Sequence, residues 1–128
     1  MKIFNKTENW SSKVNFVDDN NVVLGYDTGQ CCCEVADWFI TDVPTEKCME
    51  RKDTPDGTPE EMPGWNFDPT YIREVSGDPD FDAGGMAIFR IVKDGAEKFI
   101  HLFNSHNGYY GHGFDLTASQ SKLKDGCL

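Results

Sequence analysis

No apolar run in this chain approaches the roughly twenty residues that a membrane-spanning helix needs, so no membrane partner is expected. The opening stretch from Met1 to Trp10 lacks the apolar segment of a secretion signal. It reads as an intact cytosolic N-terminus, which predicts a cytoplasmic protein. Cysteine is scarce and odd in number, five in all. An odd count does not close into a disulfide set, and cytoplasmic thiols stay reduced. Positive charge is also short: 12 Lys and Arg stand against 22 Asp and Glu, a net charge of -10. Such a surface repels phosphates, so no direct nucleic-acid partner is expected. Gly84-Gly85 is not a phosphate loop, because no Lys-Ser or Lys-Thr follows it and no helix pattern begins there.

The 128 residues are the size of one ordinary domain, read here as spanning 1–128. Hydrophobic residues make up 38% and aromatics 12%, enough for one core despite the charge. The pattern is mainly β. Val14 to Val17 and Val22 to Asp27 flank the turn cluster Asp18-Asp19-Asn20-Asn21 and predict a hairpin. Cys31 to Ile40 predicts a third strand, with a short helix over Cys33 to Phe39 as the alternative. Thr70 to Val75 predicts another strand. Met86 to Val92 and Glu97 to Asn104 are strands around an Asp94-Gly95 turn. Tyr109 to Leu116 is expected as the last strand, and 118–128 as a fraying polar tail.

All six prolines fall between Pro44 and Pro79, and Asp42 to Asp82 holds twelve acids against four bases. The core of this stretch, 44–69, predicts a long irregular acidic loop, expected to be the most mobile internal segment. The fold class expected is all-β or α+β: a twisted antiparallel sheet or small sandwich of six or seven strands, with this Pro-rich loop over one edge or end.

Two segments carry a resemblance. Tyr26-Asp27-Thr28-Gly29-Gln30-Cys31-Cys32-Cys33-Glu34, with Ile40-Thr41-Asp42-Val43 after it, and Asn107-Gly108-Tyr109-Tyr110-Gly111-His112-Gly113-Phe114 resemble, in order and spacing, a small uncharacterised family of bacteriophages and bacteria. The likeness covers about half the chain. It implies a small β-rich domain from a phage or mobile element, and it brings no activity and no catalytic residues.

The second of these segments is also the densest chemical feature. Glycines open the backbone there, while tyrosine and histidine offer flat, half-polar surfaces. Strand alternation anchored on Tyr109 as a core residue places Tyr110 and His112 together on an exposed face. The expected binding residues are therefore Asn107, Tyr110 and His112, flanked by Trp65 and Phe67 if the acidic loop folds over them. Other constellations are incomplete. Cys31 and Cys33 could meet His101, His106 or His112 around zinc, but the second Cys-x-x-Cys knuckle is missing. Asp78, Asp80 and Asp82 alternate as calcium ligands do, yet Ala83 and Phe89 occupy the places where the loop requires Gly and Glu. No metal, no cofactor and no catalytic residue is expected. The reading is a non-enzymatic binding protein, a phage accessory or host-modulating factor, with an unidentified protein or small molecule as partner. The alternatives are a small metal- or cysteine-dependent enzyme and an acidic mimic that blocks a basic nucleic-acid-binding surface.

Overall fold

The computed structural model describes residues 1–8, 11–29, 34–47, 61–76, 84–106, 111–119 and 121–128. They form nine strands: β1 (Lys2–Glu8), β2 (Ser11–Val17), β3 (Val22–Asp27), β4 (Val35–Thr41), β5 (Asn66–Ser76), β6 (Gly85–Lys93), β7 (Ala96–Ser105), β8 (Gly113–Ala118) and β9 (Ser121–Cys127). All pairings are antiparallel. One sheet has the order β1-β2-β3-β8-β9, and the other the Greek-key order β4-β7-β6-β5. The fold is all-β, as expected, and among the described residues it contains no helix. None is therefore long and apolar enough to cross a membrane.

Alternation builds the core. Ile3, Val14, Phe16, Leu24, Tyr26, Phe114 and Leu116 point inward from the first sheet. Trp38, Phe67, Ala87, Phe89, Ile91, Ile100 and Leu102 meet them from the second. Phe16 packs edge-on against Trp38 with ring centroids 5.0 Å apart, and Phe89 against Phe114 at 5.8 Å. The opposite face of the second sheet is apolar too: Phe39, Met86, Ile88, Phe99 and Phe103 form a separate buried cluster. This explains the unbroken apolar run of β6, which is buried on both faces. Residues 42–47 tie down over that sheet: Lys98 Nζ lies 2.7 Å from Asp42, the Thr45 amide donates to His101 Nε2 at 3.1 Å, and Arg73 pairs with Glu46.

Two turns fix the register. Asp94 (φ 49°) and Gly95 (φ 82°) are both left-handed, which is the two-residue hairpin turn whose twist matches its strands. Asp18 is buried and saturated. Its Oδ1 accepts the amides of Asn20 (3.0 Å) and Val22 (2.8 Å), and its Oδ2 accepts that of Phe67 at 2.9 Å. One carboxylate thus closes the β2–β3 turn and staples it to the other sheet.

The structure corrects several expectations. There are nine strands rather than six or seven. β1 was not expected, because Ile3 is buried while its neighbour Phe4 is 52% exposed, and adjacent apolar residues break the alternation signal. The tail is strand β9, held by its ladder to β8 although it contributes no residue to the core. Residues 35–41 are strand, not helix. The acidic loop is shorter than 44–69, since β5 begins at Asn66. Pro69 looked like a strand breaker, but it sits at a register shift between Phe67 and Ile72 on an edge strand, where proline is tolerated. Residues 48–60, the middle of that loop, lie outside the described residues.

Candidate functional site

The strand directions send the β1–β2, β3–β4, β5–β6 and β7–β8 connections to one end of the sandwich. Both segments singled out in the sequence belong to these connections. The structure of Cys31, Cys32, Cys33, Asn107, Tyr109 and Tyr110 lies outside the described residues, but the residues that flank them are placed and form a buried polar cluster.

His112 is its centre. Its backbone continues the β8–β9 ladder by one step, exchanging bonds of 2.9 Å in both directions with Leu128. Its side chain therefore shares the inward face with Phe114 and Leu116, and the residue is only 3% exposed. The expectation that His112 is exposed is corrected. The correct alternation is set by Phe114 and Leu116, two and four residues on, and not by Tyr109.

His112 Nδ1 lies 2.8 Å from the Asp27 carbonyl oxygen, which can only accept, so Nδ1 carries a hydrogen. Its Nε2 lies 2.9 Å from Glu34 Oε2. A bond there needs one further proton, held either as imidazolium and carboxylate or as imidazole and carboxylic acid. Either way the pair is neutral overall. Both side chains are almost completely buried, 4% and 1% exposed. Around them, Asn104 Nδ2 donates to the Leu128 carbonyl at 3.0 Å. The Tyr26 hydroxyl donates to the Phe103 carbonyl at 2.7 Å, and burial, then the Asp27 charge, pushes that phenol well above its usual range. His106 is buried at the same end, just after β7.

This cluster braces the loop end rather than performing acid–base chemistry. Both ring nitrogens of His112 are committed to internal partners, and among the described residues no group of three His, Cys, Asp or Glu side chains could hold a metal. His101 is elsewhere, on the outer face of the second sheet, stacked on Phe39 at 4.3 Å and 8°. Burial pushes its pKa from 6.5 to about 4, while the Phe39 and Phe99 backbones pull the other way by less.

Trp65 and Phe67 are not brought to this end. Phe67 is a core residue opposite Ile91, and half-buried Trp65 lies under Lys98 Nζ at 5.8 Å. β5 climbs from there to Ser76, about 30 Å at 3.3 Å per residue, before it reaches the loop end. Sequence reasoning did not single out Glu34, Tyr26 or Asn104 as members of a site. Nothing local marks them, since Glu34 and His112 are 78 positions apart.

No family model, no curated protein and no solved structure matches this chain.

Proposed function

We propose that this protein is a non-enzymatic binding module that meets its partner, a protein or a small molecule, through the loop-bearing end of the sandwich. The observation that carries this reading is the buried Glu34–His112 pair beneath the connections that hold the glycine-aromatic run. Loops gathered at one end of a rigid sandwich are a recurrent recognition platform, because the sheets position them and sequence changes in them leave the core intact. Asn107 and Tyr110 are the proposed contacts, with His112 fixing the base of their loop from below. The likeness to a phage and bacterial family supports an accessory or host-modulating role in the cytoplasm. An enzyme is the weaker reading, since the histidine nearest the proposed contacts has both nitrogens engaged.

The test is quantitative co-purification from host cells with the unaltered protein, with Asn107→Ala/Tyr110→Ala, and with Glu97→Gln at the opposite end as control. A partner lost about tenfold or more in the first variant and retained in the control is the expected result, as for loss of an aromatic hot spot. A partner retained equally by all three forms would place recognition elsewhere.

A further inference from the structure

The two lateral sides of the sandwich differ. On the β5–β9 side the sheets are drawn together: Lys124 Nζ lies 3.2 Å from Glu74 Oε2. A Cβ on Gly126 would sit 3.0 Å from Glu74 Oε1 and 2.7 Å from the Phe114 ring. On the β1–β4 side they part. A cleft of about 210 Å³ opens between Thr7, Ser12 and Lys13 on one wall and Ala36 and Asp37 on the other. A second depression of about 370 Å³ runs along Lys2, Ile3, Phe4 and Glu61. Asn5 lines both, so together they make one trough along β1.

The backbone of β1 shows what this trough can take. Met1 exchanges two bonds of 2.8 Å with Met62, and Lys2 is bridged antiparallel to Glu61. A short partner strand thus begins on the outer edge of β1. The period of two directs the amides and carbonyls of Asn5 and Thr7 to the same outward side, away from β2. Both residues are exposed, and nothing among the described residues pairs with those groups. The charge here is opposite to that of the whole. Residues 1–17 hold Lys2, Lys6 and Lys13 against Glu8, three minus one or +2, in a chain of -10. Lys6 stands directly opposite Lys13, a like-charge pair that repels across a ladder. Phe4 lies between Lys2 and Lys6 on the same face, 52% exposed.

We propose that the open edge of β1 receives an extended acidic segment of a partner protein, added antiparallel as a sixth strand of the first sheet. This is a second surface, separate from the loop end. Main-chain bonds to Asn5 and Thr7 hold the added strand, and its alternate side chains select it. An acid sits beside Lys6, relieving its repulsion with Lys13, and an apolar residue two positions later covers Phe4. Glu61 opposite Lys2 is the same pairing made within the chain. A second copy is disfavoured, because edge-to-edge pairing would bring two lysine-bearing edges together.

The probe is a fluorescent peptide, Thr-Val-Glu-Thr-Leu-Ser with blocked ends, titrated against the full chain. Binding is expected, with at least a tenfold loss when its Glu is replaced by Lys. Lys6→Glu/Lys13→Glu should weaken the acidic peptide and restore the Lys peptide, so the charge swap succeeds only if the variant folds. N-methylation of the amides that face β1 should abolish binding, while N-methylation of the alternate amides should spare it. Tyr110→Ala should leave binding unchanged, which separates this surface from the loop end. No binding at millimolar peptide, equal tolerance of both methylation patterns, or protection of the Asn5 and Thr7 amides by self-association alone would each overturn the proposal.

Discussion

Acid should unfasten the outer face of the second sheet through a single histidine. His101 is fully buried and stacked on Phe39, and its Nε2 accepts the Thr45 amide. That bond requires the unprotonated nitrogen, so the folded ring is neutral with its hydrogen on Nδ1. Protonation would set N–H against N–H and strand a charge among Phe39, Phe99 and Phe103. The folded pKa, about 4, lies below the unprotected value of 6.5. As pH falls, the unfolded chain therefore takes up the proton first, and stability declines with pH between 6.5 and about 4. Above 6.5 this group contributes no slope, and below 4 both states are protonated and the loss is complete. The whole interval corresponds to roughly 3 kcal/mol at 1.36 kcal/mol per tenfold, of which about 2 kcal/mol has gone by pH 5. The assay is urea unfolding of the unaltered chain and of His101→Phe from pH 7.5 to pH 4. Phenylalanine keeps the stacking and cannot titrate, so the difference between the two curves removes the background from the many carboxylates. That difference should change by about 2 kcal/mol in favour of the variant between pH 7.5 and pH 5. Parallel curves would refute the assignment of a buried neutral imidazole.

Two further perturbations test the polar ties between the sheets. Asp18→Ala removes the acceptor of three amides at once and should cost about 3 kcal/mol in denaturant unfolding; a loss below about 1 kcal/mol would show that water replaces the carboxylate. Glu34→Ala and His112→Ala should each cost about 3–5 kcal/mol, and the double variant clearly less than the sum, because each single change leaves a buried polar partner unmatched. Additive losses would mean that the two side chains do not interact.

The parts of the fold that were legible are those whose signal is local. Met86 to Val92 and Glu97 to Asn104 are apolar enough to be strands and are joined by an Asp-Gly turn, and they became β6 and β7. The cluster Asp18 to Asn21 was read as a turn and is one, with Asn21 in the left-handed region. β1 and β9 escaped notice because they are edge strands, held by ladders and carrying few buried side chains. At the candidate site His112 was noticed for its composition but given the wrong face. Its true partners, Glu34 and the Asp27 carbonyl, come from the far side of an 85-residue separation that carries no periodicity. Long-range polar pairing is decided by topology, and topology was not readable from strand patterns alone.

The order of the strands has a kinetic consequence. The first sheet is assembled from the first three and the last two strands, and the second sheet lies wholly between them in the chain. The β5–β6–β7 meander and the β8–β9 hairpin can form from neighbouring residues. β3, by contrast, has to find β8 across most of the chain, with Val22 opposite Ala118 and Tyr26 opposite Phe114. Loop closure of that span comes before its contacts reward it, so folding belongs to the slow regime of non-local β-proteins, milliseconds to seconds. Until β8 docks, β3 is itself an open edge carrying Leu24 and Tyr26, and a chain still emerging from the ribosome exposes that edge until nearly its last residues have been made.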